Sequence, residues 1–332
     1  VRKVVRSNFQ VVEVSVIIPV YNAAAFVRQA AESALAQPET AEVVLVEDGS
    51  PDDSLTVCQA LAAEYDRVRL FRHPKGANRG ASASRNLGIR NSRCPYIAFL
   101  DADDFYLPNR FATARAVFEA DPSIDGVYEA IGTYVEDPTG LARWEAIGRP
   151  ADFVTTVSER IAPEQLLEKL LQKKAGYFSP DGLVVKRAVF ARTGLFDERL
   201  PLFEDTAMMY KLAGVARLAP GSLEQPVAMR RVHAQNRITA PRSKADIYNK
   251  RMLLYDTVWR WARRNLPPDK AQTFLEFYLK SAIRVVTDRQ PLSQKIRLRW
   301  LLVRRLFRNP SLALEPFFWS CFLPGLSSRL KL

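Results

Sequence analysis

Ile97-Ala98-Phe99-Leu100-Asp101-Ala102-Asp103-Asp104-Phe105-Tyr106-Leu107-Pro108 is the stretch on which the fold turns. The apolar run from Tyr96 to Leu100 reads as a buried strand, and it ends in three carboxylates within four positions. Side chains alternate along an extended chain, so Asp101 and Asp103 are expected on one side as the strand leaves its sheet. Like charges this close raise each other's pKa unless a cation lies between them. Hard divalent ions take such oxygen ligands, and Mg²⁺ typically combines one or two carboxylates with substrate phosphates. The competing explanation is capping, with Asp103 or Asp104 opening a helix near Pro108-Asn109.

Upstream, Val14-Ser15-Val16-Ile17-Ile18-Pro19-Val20 is a β-branched run of buried parallel-strand type. It stops at Tyr21-Asn22, and Ala23 to Gln37 has helical spacing. Glu42 to Val46 is a second strand ending in Glu47-Asp48-Gly49-Ser50-Pro51-Asp52-Asp53, whose Ser50 and Pro51 signal a helix through about Tyr65. Val68 to Phe71 is a third strand, and Ser82 to Asn91 a helix leading to the strand at 96–100. This β-α-β-α-β-loop-α-β alternation predicts an α/β fold, a mostly parallel Rossmann-like sheet flanked by helices. Ligands of such sheets bind beyond the carboxyl ends of the strands. Tyr21-Asn22, Glu47-Asp48 and Asp101-Ala102-Asp103 all fall at those ends. The loop at 78–88 adds small residues and the cations Arg79 and Arg85. Neither GxGxxG after the first strand nor GxxxxGK[ST] occurs, which removes dinucleotide and P-loop folds from consideration.

In order along the chain, Ser15 to Asn22, Val46-Glu47-Asp48-Gly49-Ser50, Arg85-Asn86-Leu87-Gly88 and Leu100-Asp101-Ala102-Asp103-Asp104 resemble the nucleotide-sugar half of a family 2 glycosyltransferase of GT-A fold. Glu47 departs from the second Asp that many relatives carry. The resemblance implies that Pro19 and Tyr21 flank a nucleobase, Tyr21 by stacking, while Asp48 accepts a hydrogen bond from uracil or another imide. It implies Arg85 near the ribose or phosphates and Asp101 facing the ribose or donor sugar. Asp103 would hold Mn²⁺ or Mg²⁺ against the diphosphate, where the ion neutralises the leaving group. Val20, Glu47, Gly80 and Ala102 complete the donor-binding set expected from it. Taken singly, Tyr21 is an ordinary surface aromatic and Arg85 a solvated helix cation; only the ordered set favours these roles.

Between 111 and 175 the chain is less informative, with a strand expected over Val127–Val135 and an amphipathic helix over Ser158–Lys174. Then Gly182 to Phe190, Thr193-Gly194-Leu195-Phe196-Asp197-Glu198 and Phe203-Glu204-Asp205-Thr206 continue the resemblance. On that pattern Asp205 is the catalytic base and Glu204 its neighbour, the carboxylate that inverting transfer needs to take the acceptor hydroxyl proton. Asp205 also stands where a helix N-cap would. Arg230-Arg231-Val232-His233-Ala234-Gln235-Asn236 resembles the segment that closes over the diphosphate. His233 is either a metal ligand beside Asp103 or a diphosphate contact, whereas His73 reads as structural or exposed.

The 332 residues carry a net charge of +12, very unevenly. Residues 245–332 hold 17 Lys and Arg against 6 Asp and Glu, leaving the first 244 almost neutral at 31 against 30. Domains are therefore expected at 1–240, a catalytic unit with a donor half at 14–110 and an acceptor half at 111–240, and at 241–332, a mainly α-helical basic extension. Helices are expected at 246–265, 270–289 and 294–308. The last places Arg among Leu, Trp and Phe, which suits either an anionic membrane surface or packing on the catalytic unit. No RNA- or DNA-binding motif accompanies these cations, so no nucleic-acid partner is expected. Sparse cysteines (Cys58, Cys94, Cys321), a basic N-terminus without an apolar core and the lack of an 18-residue apolar run point to a cytoplasmic protein, peripheral to the membrane at most. The expected partners are a nucleoside diphosphate sugar, UDP by preference, and a glycan or lipid-linked acceptor. The competing functions are a non-catalytic binder of the same fold and a sugar-phosphate nucleotidyltransferase. The latter usually carries a Gly-rich basic loop where this chain has Pro19-Val20-Tyr21-Asn22.

Overall fold

The computed structural model describes residues 12–275 apart from Lys174 and Pro241. The expected helix at 294–308, most of that at 270–289 and the aromatic stretch at 312–324 lie outside the described residues. The chain divides into two compact units, residues 1–250 and 251–332.

In the first unit the expected alternation appears as β1 (Val14–Val20), α1 (Val27–Leu35), β2 (Thr40–Glu47), α2 (Ser54–Glu64), β3 (Val68–Arg72), α3 (Gly80–Asn91) and β4 (Tyr96–Phe99). The four strands are parallel, with β1 between β2 and β4. Both faces of β1 are covered, so its residues are apolar without alternation. On one face Val16, Ile18 and Val20 join Val27, Ala30, Ala31 and Ala34 of α1 in the core. On the other, Gly88 of α3 lies so close that a Cβ there would stand 2.3 Å from Ile17 Cγ2. Helix α2 opens at Ser54 rather than at Pro51, because Asp52 folds back to accept the Ser54 amide and hydroxyl and the Ala24 amide.

Downstream come β5 (Phe105–Tyr106), α4 (Ala112–Ala120), β6 (Gly126–Tyr128), β7 (Ile131–Val135), α5 (Pro138–Ala146), α6 (Pro163–Gln172) and β8 (Leu183–Lys186). They are followed by the single turn α7 (Phe190–Thr193), α8 (Glu204–Val215), β9 (Leu218–Pro220), β10 (Ala228–Val232) and α9 (Lys244–Asn265). The main sheet has the order β3-β2-β1-β4-β8-β6-β9, and a small sheet the order β5-β10-β7. The single strand expected over Val127–Val135 is thus two, in different sheets. The chain breaks at Glu129, whose side chain is turned into the protein to meet Arg110 at 2.6 Å.

The second unit is helical where described, comprising the end of α9 and a helix that opens at 268. Among the described residues no helix is long and apolar enough to cross a membrane.

Neither charge of the Arg110–Glu129 pair is exposed, and Arg110 is further held by Tyr106 and Phe111 rings and by the Asp181 carbonyl. Removing one partner strands the other without water. Glu129→Ala is expected to cost about 3–5 kcal/mol in urea unfolding, and Arg110→Met added to it to recover much of the loss.

Candidate active site

Leu100 takes the last parallel bond of the β4 edge, from its amide to Ile17 O at 3.1 Å, and the chain then turns sharply, the Asp104 amide donating to Asp101 O at 3.0 Å. The carboxylates are therefore aimed by a tight turn, not by strand alternation. Asp101 accepts from Arg85 Nη2 at 2.6 Å. Asp103 Oδ2 stands 3.2 Å from His233 Nε2 and accepts from Asn236 Nδ2 at 3.3 Å. Asp104 is buried and accepts the Arg231 amide at 2.8 Å. None of them caps a helix, since α4 is entered through Phe111.

Two pairings bring the partners. β8 runs antiparallel to β4, Ala98 facing Val184, so the start of β8 lies beside the end of β4. There the buried Asp181 accepts the Asp101 amide at 2.9 Å and the Ser179 hydroxyl at 3.1 Å. β5 follows directly on the turn and pairs with β10 through Phe105–Met229 and Tyr106–Ala228. That register carries Arg230 to His233 past the carboxylates. Arg231 Nε donates to Asp103 O at 2.8 Å, its guanidinium lies among the Phe26, Phe105 and Tyr134 rings, and it is paired with Glu136. Asp181 stood outside the sequence expectations. Its Ser-Pro-Asp-Gly context reads as a turn, and only the antiparallel pairing gives it a role.

Along the donor edge, Tyr21 is 51% exposed, free to stack, beside Asn22 in the left-handed region at φ 51°. Pro19 is half-buried, while Val20 and Ala102 are buried in the core beneath. Asp48 accepts the amides of Arg79 at 2.7 Å and Gly80 at 2.8 Å, which fixes the loop opening α3. His73 lies behind it, buried and bonded to Ser84 at 3.0 Å. Glu47 corrects the expectation of a direct donor contact. Its closed-off carboxylate takes the Ser50 amide at 2.5 Å and Arg72 Nε at 2.7 Å, bracing the Gly49 turn. Burial alone would raise Glu47, but these donors outweigh it and hold the carboxyl below its ordinary value. Arg85 likewise differs from a surface phosphate cation: its side chain is 5% exposed, between Asp101 and Glu204.

Helix α8 supplies the opposite edge, where the resemblance leads one to expect the acceptor. It is entered through Phe203 at φ 67°, a left-handed conformation rare for a bulky residue. Glu204 is buried and bonded to Arg237 at 2.6 Å, with Arg85 Nη1 at 3.5 Å. Asp205, next in sequence, is exposed and accepts its neighbour's Thr206 amide at 2.6 Å. Asn86 of α3 accepts the Phe196 amide and donates to the Phe196 carbonyl and to Glu198, clamping the turn that precedes this edge.

Charge is divided by partner. Burial works against ionised Asp101, yet Arg85, Arg230 and Arg237 hold it below its ordinary value. Although Asp205 reaches solvent, the protein packed around its carboxyl and then the Glu204 charge raise it above its ordinary value, making it a better proton acceptor. Burial works against the Arg230 and Arg237 charges, but the carboxylates around them outweigh it and raise both guanidiniums above their ordinary value. Asp104 is raised by burial and by Asp103, Asp181 and Asp101. The Asp103 side chain is 31% exposed and faces an imidazole nitrogen, an oxygen and nitrogen donor set that suits Mn²⁺ or Mg²⁺. Asp101, Asp104 and Asp181 also bring three oxygens together, though two of these residues are buried. A cleft of about 410 Å³ has His233 in its wall, with Phe26 and Glu136, but neither Asp101 nor Asp205.

A mostly parallel sheet with carboxylates, arginines and a histidine gathered on its carboxyl edge is the arrangement of a GT-A fold. The chain belongs to the family described as "Glycosyl transferase family 2", whose model matches residues 15–194. It is 46% identical over 195 residues to the succinoglycan biosynthesis protein ExoU of Rhizobium meliloti, covering 58% of this chain and 54% of that protein. An uncharacterized glycosyltransferase of Rickettsia bellii is 32% identical over 211 residues, 62% of this chain and 28% of that one. The chain thus spans about half or less of these relatives' lengths. The crystal structure of S. aureus TarS 1-349 shares the fold, with a TM-score of 0.59 at 19% identity over 85% of this chain and 77% of that one.

Asp181 provides a pH test. Burial first, then the nearby Asp101 charge, pushes its carboxyl from 3.8 up to about 6. A carboxyl raised by folding contributes most when protonated, and that contribution is lost as pH rises through about 6. Asp181→Asn is expected to stabilise the protein at pH 7–8 by up to about 3 kcal/mol in urea titrations, the gain vanishing near pH 4.

Proposed function

We propose that the protein is an inverting, metal-dependent transferase that moves a sugar from a nucleoside diphosphate sugar, UDP by preference, to a hydroxyl of a glycan or lipid-linked acceptor. The observation that carries this is the bridge from Asp101 through Arg85 to Glu204, which holds a donor-side carboxylate and the neighbour of Asp205 in one charge network. Support comes from the succinoglycan biosynthesis relative, which suggests cell-surface polysaccharide or glycoconjugate synthesis as the setting. TarS crystals with UDP and with UDP-GlcNAc have the same fold and suggest the donor class.

In this mechanism Tyr21 stacks on the base, and the Asp48-braced loop presents Gly80 and the start of α3 toward the phosphates. Asp101 orients the ribose or donor sugar through its exposed oxygen while Arg85 keeps it ionised. Asp103 and His233 would hold the metal, and the chemistry it would supply is neutralisation of charge on the diphosphate. Asp205 accepts the proton of the acceptor hydroxyl as that oxygen attacks the anomeric carbon from the face opposite the diphosphate. Glu204, locked by Arg237 and Arg85, raises the Asp205 carboxyl and fixes the start of α8. One base suffices, since a metal-bound diphosphate leaves without a proton.

Thermal unfolding with UDP, GDP, ADP and CDP, each with and without Mn²⁺, tests the donor site. The midpoint should rise most with UDP and only with metal, because ligand bound to the native state alone raises stability in proportion to affinity. No rise with any nucleotide would overturn the proposal. Asp103→Ala should abolish the metal-dependent part of that rise. Asp205→Asn should keep the full rise yet lose at least about 10²-fold in transfer to a glycan acceptor, the low end expected for a general base. Transfer at the wild-type rate would remove Asp205 from the base role, and absence of transfer in the wild type would favour a non-catalytic binder.

A further inference from the structure

Arg149, in the segment after α5, has an environment that nothing in the donor site explains. Its guanidinium lies 4.6 Å from the Trp144 ring centroid and 5.1 Å from that of Phe153. Nη2 donates to the Tyr177 phenol oxygen at 2.7 Å. Nη1 is closed to solvent and has no hydrogen-bond acceptor, and no carboxylate among the described residues comes within ion-pair distance. The charges that reach Arg149 are those of Arg230, which opposes it, and Asp205, which favours it. Burial is the largest influence and works against its charge. A guanidinium cannot shed its proton in a protein, so an unpaired one in an aromatic cage is left without a counter-charge.

Residues 145–148 and 150–152 around it are exposed, and Arg149 is itself only half-buried. Gly148 sits in that turn at φ 82° with no atom within 4 Å of where a Cβ would stand. A guanidinium packed against two edge-to-face rings, with Nη1 left unpaired, is suited to take an oxygen of a carboxylate or phosphate.

We infer that Arg149 anchors an anionic group on the acceptor, a carboxylate or a phosphate, beside the hydroxyl from which Asp205 takes the proton. This deepens the transferase proposal and rests on it: the acceptor is an acidic saccharide or a sugar phosphate, not a neutral glycan. Arg230 donates to Thr155 and Ser179, each two residues from a residue that contacts Arg149, which sets this environment beside the Arg230–Ser179 side of the carboxylate cluster.

The test is NMR titration of the full chain, loaded with UDP and Mn²⁺, with methyl β-glucuronide, glucose 1-phosphate and methyl β-glucoside. At least one anionic sugar should bind tenfold or more tighter than the neutral glucoside, and which one does so separates carboxylate from phosphate recognition. Arg149→Met, which keeps an unbranched apolar stem between the rings, should erase that preference while UDP affinity stays within twofold. Arg149→Lys should retain part of it and guards against a folding defect in the Met variant. Equal binding of all three sugars by the UDP-loaded wild type, or an unchanged preference in a folded Arg149→Met, would overturn this inference and leave the transferase proposal standing. Failure of the wild type to bind UDP at all would overturn both.

Discussion

A guanidinium buried at the meeting point of two carboxylates is the constraint on which the site depends. Arg85 has a side chain 5% exposed, 2.6 Å from Asp101 and 3.5 Å from Glu204. Buried charge is tolerated only when paired. Helix α3 brings the arginine, the end of β4 one carboxylate and the start of α8 the other. Displacing any of the three would strand a charge, so the donor edge and the acceptor edge are fixed against each other by electrostatics as well as by packing. Asn86, one residue on, reinforces this by taking both backbone groups of Phe196.

A second device aims the carboxylates. The turn at 101–104 would be free to swing if only the main sheet held it. The small sheet prevents that, because β5 begins immediately after the turn and β10 lies against it. Arg231 then holds the Asp103 carbonyl from a cage of three rings, and Asn236 bridges the Arg231 carbonyl and the Asp103 carboxylate. His233 reaches Asp103 as a consequence of strand register, 130 positions away in the chain. Asp103 is thereby left with an exposed oxygen on a rigid mount, the condition that metal ligation requires.

The carboxylates of this edge do not share one state. Asp101 is held ionised by surrounding arginines, whereas Asp104 and Asp181, buried behind it, are raised. Asp205 is raised as well, by the protein packed around its carboxyl and by Glu204. A single cluster can in this way keep one carboxylate ionised while its neighbours are raised.

How much of this could be read from the chain follows from the range of the forces involved. The β-branched run at Val14–Val20, the strands after it and the helical spacing between them are local properties, and they fixed the parallel half of the sheet and the edge where ligands bind. The ordered motifs at Tyr21, Asp48, Arg85, Asp101 and Asp103, then Asp205 and His233, marked the family for the same reason: each is a short segment whose residue types are legible in place. Strand alternation misjudged the turn at 101–104, Glu47 was placed in the donor-binding set, and one strand was expected where Glu129 breaks the chain into two. Asp181, Arg149 and the burial of Arg85 were not legible at all. Their roles arise from an antiparallel neighbour, an aromatic cage and a distant carboxylate, contacts between residues far apart in sequence. Local chemistry thus determined which elements form and which groups lie at the edge; tertiary packing decided which of those groups are buried, paired or free, because desolvation and charge pairing depend on neighbours that only the folded chain supplies.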